Sequence, residues 1–343
     1  MHRSTRLTAQ QGARTVSMAD VAAAAGVSQQ TVSRVVNHQT NVREETRRRV
    51  EEAMRALDFR PNFAGRSLRG GSYRAIGLSM FDVTRAGNTV TLNGIVSAAR
   101  EHGYAVTMIE QGVDSSFSLG AVSRRMAELP IDGLIINMNR MAEDFEEFTP
   151  LAGLRTVLLT MYAHPRCTTV DSDQYGCSKL VVDYLVAHGH RSIRFIAGPK
   201  ASMAARFREA GWRDALLAHR LEPAEVLQGD WTADAGYEAG VKIAEERSAT
   251  AVYAANDQMA YGAMIALRDR GLRVPEDISI VGIDDSLEGT VPHNMLTTVR
   301  FNLRERGRII FNLSVGIEGD AGAYTSIRLP GELIERGSVA FCQ

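Results

Sequence analysis

Three side chains in an arginine-rich opening stretch carry the chemistry needed to read a nucleic-acid duplex. In Ser28-Gln29-Gln30-Thr31-Val32-Ser33-Arg34-Val35-Val36, the three valines fall on one helical face and leave Gln29, Gln30 and Arg34 outward. A glutamine amide can pair with adenine through two hydrogen bonds, and a guanidinium can grip guanine. Each good contact contributes about 1–3 kcal/mol of base discrimination. A second set of polar residues lies far along the chain, where Asn256-Asp257 and Asp284-Asp285 each follow a strand-like apolar run. Ligands of α/β folds gather beyond the carboxyl ends of strands, although a carboxylate there also serves as a helix cap or turn former. For Asp257 and Asp285 the cap or turn role is the expectation.

Little else suggests catalysis or metal binding. Asp284 and Asp285 are neighbours on an extended chain, whose side chains point apart, so they make a poor acid–base pair. His188 and His190 flank a glycine at a helix end with no nearby Cys or third His, which makes them structural imidazoles rather than metal ligands. Cys167, Cys177 and Cys342 form no CxxC pair and read as reduced thiols. No P-loop, GxGxxG after a strand, GxSxG elbow or HExxH occurs, so no enzyme activity, cofactor or metal is expected.

The elements that hold the base-reading residues follow from local signals. Ser17-Met18-Ala19-Asp20 has the form of a helix start with its own cap, and the helix runs to about Ala25. Gly26 breaks it, Val27 plugs the turn and Ser28 can cap the next helix. A third helix from about Glu44 to Leu57 buries Val50, Ala53, Met54 and Leu57 and closes a small all-α helix-turn-helix head. Charge agrees with that role. Residues 1–75 carry a net charge of +7 and the rest −8, so a basic head precedes an acidic body and should meet a polyanion. Pro61 to Gly71 reads as a short helix of about two turns, too short to be stable alone.

From Arg74 onward, apolar runs alternate with amphipathic stretches. The runs are Ala75–Met80, Ala105–Ile109, Gly133–Ile136, Thr156–Thr160, Ile193–Ala197, Ala251–Ala255 and Ile278–Ile283; the helical stretches include Leu92–Arg100, Lys179–Ala187 and Met259–Arg268. That order predicts parallel sheets wrapped by helices, and a length beyond one doubly wound unit predicts an α/β two-lobed body with a cleft. No stretch approaches the roughly 18 apolar residues of a membrane span, and the opening MHRSTRLTAQQGART lacks the apolar core of a secretory signal, so a cytoplasmic protein is expected.

The run MADVAAAAGVSQQTVSRVVN, then Thr46-Arg47 and Arg60-Pro61-Asn62, resembles the head of the LacI family of bacterial regulators. AGPKASMAARFREAGWRDAL, the GDW at Gly229–Trp231, ANDQMAYGAM, GLRVPEDISIVGIDD and ELIERGSVA resemble its effector domain, so the likeness covers nearly all of the chain after residue 15. The resemblance implies a periplasmic-binding-protein-like body. It also implies four segments: a disordered extension (1–15), a helix-turn-helix domain (16–60), a hinge helix and linker (61–73), and an effector-binding and dimerisation domain (74–343). DNA contacts are then expected from Ser28, Gln29, Gln30, Arg34 and Asn37, with Leu68 wedged into the minor groove. Effector contacts are expected from Arg208, Trp231, Asn256 and Asp284, and Phe81 and Asp82, at the end of the first strand, should face the same cleft. Arg, Asn and Asp suit paired hydroxyls, and an indole suits the apolar face of a sugar.

This sequence also departs from the family pattern. Gly65 replaces a common Ala in the hinge, at a cost of roughly 0.8–1 kcal/mol in helix propensity, and Arg43 replaces a Ser cap, so the cap of the third helix is expected to move to Asn41. Thr160 stands where a lactose-type member of the family has an acid, and Gln111 follows Glu110 where that member has an arginine.

The function implied is a homodimeric repressor of carbohydrate-utilisation genes, released from operator DNA by a sugar or glycoside. A transporter's solute-binding protein would share the body but not the basic head, and a purely architectural DNA binder would leave most of the chain idle. No leucine heptad follows Cys342, so a zippered tetramer is not expected.

Overall fold

The computed structural model describes residues 16–36, 39, 41–59, 72–112, 116–319 and 324–342. The chain divides into two compact units after Tyr73.

In the first unit, helices α1 (Met18–Ala25), α2 (Gln29–Val36) and α3 (Glu44–Ala56) enclose Val21, Val32, Val35 and Val50. The capping box forms as the sequence suggests. Asp20 accepts from the Ser17 backbone N–H at 2.8 Å, while the Ser17 hydroxyl oxygen accepts from the Asp20 N–H at 3.3 Å. Gly26, left-handed at φ 62°, ends α1. Ahead of α3 the expectation fails: Arg43, not Asn41, is the N-cap, and its side chain makes no capping hydrogen bond. Glu44 and Glu45 in the first turn offset the positive helix end instead.

The second unit holds two six-stranded sheets. The first comprises β1 (Ala75–Phe81), β2 (Ala105–Gln111), β3 (Gly133–Asn137), β4 (Arg155–Leu159), β5 (Thr168–Ser172) and β11 (Ser326–Leu329), in the order β11-β5-β4-β3-β1-β2, all parallel. The second comprises β6 (Ile193–Ala197), β7 (Leu227–Gln228), β8 (Ala251–Ala254), β9 (Ser279–Ile283), β10 (Thr297–Phe301) and β12 (Gly331–Ile334). Its order is β12-β10-β9-β8-β6-β7, parallel except at the β10/β12 edge.

Helices α4 (Ala86–Glu101), α5 (Leu119–Ala127) and α10 (Leu303–Val315) pack on the first sheet; α6 (Gln174–Ala187), α7 (Met203–Ala218), α8 (Ala233–Glu246) and α9 (Asp257–Asp269) pack on the second. Each sheet with its helices is one lobe, and the chain passes between the lobes three times: after β5, after β10 and between β11 and β12. Central strands such as β3 and β9 are buried along their whole length, as parallel strands covered on both faces must be.

Candidate functional site

In the helical unit, Ser28, Gln29 and Gln30 are exposed around the start of α2, and Arg34 lies half-buried about one turn on. Their outward placement follows from Val32, Val35 and Val36 taking the opposite, buried face. The Ser28 hydroxyl oxygen accepts from the Thr31 N–H at 3.2 Å and so fixes the start of the helix. Asn37 and Leu68, like Gly65, lie outside the described residues.

In the two-lobed unit a cavity of about 750 Å³ opens between the carboxyl ends of the two sheets, and Phe81, Asp82, Arg208, Trp231, Asn256 and Asp284 all line it. The chain brings them together from β1, from α7 and from the turns after β7, β8 and β9. Arg208, only 5% exposed, is the hub. Its Nη2 donates to Asp284 Oδ1 at 2.9 Å, its Nε to Gln174 Oε1 at 2.8 Å, and its Nη1 to the Ala255 carbonyl. The guanidinium also lies 5.6 Å from the centre of the Trp231 ring and 5.9 Å from that of Phe301. Burial is the largest influence and opposes its charge, but Asp284, Cys177 and Tyr253 together hold the Arg208 pKa above its ordinary value.

Asn256 does two jobs. Its Oδ1 accepts from the Met259 N–H at 2.9 Å and caps α9, while its Nδ2 donates to the Trp231 carbonyl at 3.0 Å. That second bond steadies a tryptophan whose backbone is left-handed, at φ 78°. Phe81 is buried edge-on against Phe117, with ring centres 5.1 Å apart. Asp82 borders the cavity, but its carboxylate is tied into its own loop, accepting from the Thr84 hydroxyl and from Arg85 Nε at 2.8 Å. The Thr84 bond in particular pulls its pKa below the usual carboxylate value.

Composition and spacing did not single out Gln174, Asp171 and Arg306. Gln174 opens α6 directly after the chain leaves the first lobe, and it is buried beneath Arg208. Asp171 on β5 accepts from Arg306 on α10 at 2.7 Å; Arg306 also donates to the Ser172 hydroxyl at 3.1 Å and the Thr91 hydroxyl at 2.6 Å. Burial pushes the Asp171 carboxyl up, and Arg306 and Arg208 only partly pull it back. All three residues line the cavity. The two lobes touch beside it: the Met203 N–H donates to the Asn139 carbonyl at 2.9 Å, and the Tyr162 and Phe207 rings lie 5.0 Å apart.

The residues read as structural have local or long-range partners. Asp257 accepts from the Ser286 N–H at 2.7 Å and the Thr298 hydroxyl at 2.6 Å, and Asp285 pairs with Arg300 at 2.6 Å and Arg336 at 2.8 Å. His188 Nδ1 meets the Tyr184 carbonyl at 2.9 Å, and His190 lies 3.1 Å from both Thr250 Oγ1 and the Ala340 carbonyl. Cys167 and Cys177 are buried free thiols whose pKa burial pushes up to about 12. Among the described residues no helix is long and apolar enough to cross a membrane.

Comparison with known proteins places both units. Residues 17–62 match the model for bacterial regulatory proteins of the lacI family, and residues 182–339 match that of a periplasmic binding protein-like domain. The lactose operon repressor of Escherichia coli (strain K12) is 33% identical over 94% of this chain and 90% of its own length. The HTH-type transcriptional repressor PurR of Haemophilus influenzae (strain ATCC 51907 / DSM 11121 / KW20 / Rd) is 29% identical over 93% of this chain and 97% of its own. A solved structure of the lac repressor dimer bound to operator and the anti-inducer ONPF superposes with a TM-score of 0.80 at 31% identity, covering 95% of this chain and 100% of that one. A helix-turn-helix head, a two-lobed α/β body and a relative matched nearly end to end lead to one conclusion: the chain belongs to the LacI family of DNA-binding transcriptional regulators.

Proposed function

We propose that this regulator is a cytoplasmic repressor of carbohydrate-utilisation genes, released from its operator by a sugar or glycoside. Residues 16–60 would bind DNA, 61–73 would form the hinge, and 74–343 would bind the effector and dimerise. In a homodimer, two α2 helices would enter successive major grooves of a near-palindromic site, with Ser28, Gln29, Gln30, Arg34 and Asn37 at the bases and backbone and Leu68 in the minor groove. Phe81, Asp82, Arg208, Trp231, Asn256 and Asp284 would contact the effector. Binding of that molecule between the lobes would favour one lobe arrangement over another and lower affinity for DNA; coupling of this kind needs only a difference in effector affinity between two states.

The observation that carries the sugar reading is the ion pair Arg208–Asp284 beside the Trp231 ring in one cavity. It sets a fixed donor and acceptor beside an apolar face, which is what a pyranose with hydroxyl edges and C–H faces requires. The test is a thermal-shift screen of the full chain against common mono- and disaccharides. A ligand at a hundred times its Kd stabilises by about 2.7 kcal/mol, enough to raise the Tm by several degrees. The stabilising sugar should lose its effect on Arg208→Ala; equal stabilisation of both proteins would place that sugar elsewhere.

A further inference from the structure

His164 sits in the turn between β4 and β5, buried and outside the lining of the cavity. Both of its ring nitrogens are engaged: Nε2 lies 2.8 Å from the Phe145 carbonyl, and Nδ1 lies 3.1 Å from the Arg166 backbone N–H. A carbonyl only accepts and an amide N–H only donates, so the ring is neutral, with its proton on Nε2 and a lone pair on Nδ1. The Phe145 and Phe148 rings close around it, with centres 4.9 and 6.0 Å away. Arg166 completes the fastening: its Nε donates to the Phe148 carbonyl at 2.8 Å and its Nη2 to the Glu146 carbonyl. The turn thus holds the loop that follows β3.

That loop carries a contact between the lobes. The Asn139 carbonyl accepts from the Met203 N–H at 2.9 Å, and Asn139 Oδ1 accepts from the Ser202 hydroxyl at 3.3 Å. Met203 opens α7, so its N–H has no partner within the helix and depends on the first lobe. The Met203 side chain is buried in one apolar cluster with Phe145 and Phe148, and the Tyr162 ring lies 6.3 Å from that of Phe145 and 5.0 Å from that of Phe207. We propose that His164 is a pH-sensitive pin for this contact: a proton on Nδ1 turns away the Arg166 N–H, frees the Phe145–Phe148 loop and loosens the hold of Asn139 on the second lobe.

The chemistry is that of two donors brought face to face. Once protonated, Nδ1 carries a hydrogen aimed at the Arg166 N–H, which loses its acceptor in a half-buried turn, while the Nε2 bond to Phe145 is kept. The charges that act on the ring are the Arg166 guanidinium from its own turn and the Glu146 carboxylate from the loop; Cys167, across the turn, is a thiol kept neutral by burial. Asp144 is turned to the start of α5, where it accepts from the Ser118 hydroxyl and the Leu119 and Gly120 N–H groups. Burial opposes the imidazolium most, the Phe145 carbonyl favours it, Arg166 opposes it and Glu146 favours it; the balance holds the pKa below the ordinary 6.5. The stability that the neutral ring contributes is therefore fully present above about pH 6.5 and is lost as pH falls through the folded value. The pin is closed at neutral pH and opens on acidification, with no effector needed.

The test is amide hydrogen exchange of the full chain at about pH 7.5 and about pH 5.5, resolved to single residues by mass spectrometry and corrected for the intrinsic dependence of exchange on pH. Wild type is compared with His164→Gln, whose side chain offers one carbonyl and one amide group and does not titrate. In wild type, protection at Met203 and over 145–148 should fall about threefold or more on acidification, as the loss of one hydrogen bond implies, while the interior of α8 keeps its protection. His164→Gln should show no such fall. Equal falls in the two proteins, or a wild-type Met203 amide that keeps its protection at the lower pH, overturn the proposal. If His164→Gln does not fold, wild type alone decides: loss confined to Met203 and the loop supports the pin, and loss shared with α8 overturns it.

Discussion

Asp257 occupies the first turn of α9 with no exposed surface, and burial pushes its carboxyl up to about 7 against the pull of the Thr298 hydroxyl and the Ser286 N–H, with Asp284 and Asp285 adding to the rise. Between the unfolded value near 3.8 and the folded value of about 7, the folded state holds a proton that the unfolded chain has lost. The contribution to stability is therefore fully present below about pH 4 and is lost as pH rises through about 7; its full size is on the order of 4 kcal/mol. Scanning calorimetry from about pH 5 to 8 should show the Tm of wild type falling relative to Asp257→Asn as pH rises. Parallel curves would mean that the carboxyl titrates normally. Asp257 and Asp285 show where residue-level reading stops. The cap role expected of Asp257 falls to Asn256 instead, and Thr298, Arg300 and Arg336, which hold Asp257 and Asp285, lie beyond their own turns, where no local pattern connects them to these acids.

The crossing of α4 and α10 decides where the first lobe's half of the cavity lies. Gly94 faces the Arg304 carbonyl and Gly307 faces the Thr91 carbonyl, and a methyl at either position would overlap backbone. Gly94→Ala should gain up to about 1 kcal/mol in helix propensity, but separating the helices costs typically 1–3 kcal/mol, so net destabilisation is expected. Because Gly87 and Asn88 on α4 and Arg306 on α10 line the cavity, ligand affinity should fall with it. Denaturant unfolding and titration check both; an unchanged midpoint would mean that the helices can part freely. Strands with continuous apolar runs, such as Gly133–Ile136 and Ala251–Ala254, were legible. Asp171 was not, since TTVDS is a strand of mixed polarity. Arg306 was not either, because Leu303-Arg304-Glu305-Arg306 reads as a solvated helix start until β5 and α4 are seen to cover it.

Over the whole molecule, charge and topology divide the work. The excess of positive charge lies in residues 1–75, ahead of an acidic body whose two lobes are joined by three crossings and line a cavity between them. Head and body were legible as separate units because a run of short helices gives way to strand–helix alternation near Arg74. The closing pair β11 and β12 was not, since each is four residues long and takes its meaning from the lobe it joins. Under the function proposed above, the cavity and the duplex compete through the state of the same molecule. The direct measurement is fluorescence anisotropy of the full chain on an operator duplex selected from a random library, with and without the stabilising sugar. Sugar should lower wild-type affinity at least about fivefold, the lower end of ordinary allosteric coupling, and Arg208→Ala should bind the duplex but no longer respond. Affinity that is unchanged or raised by a sugar that binds the cavity would contradict that function.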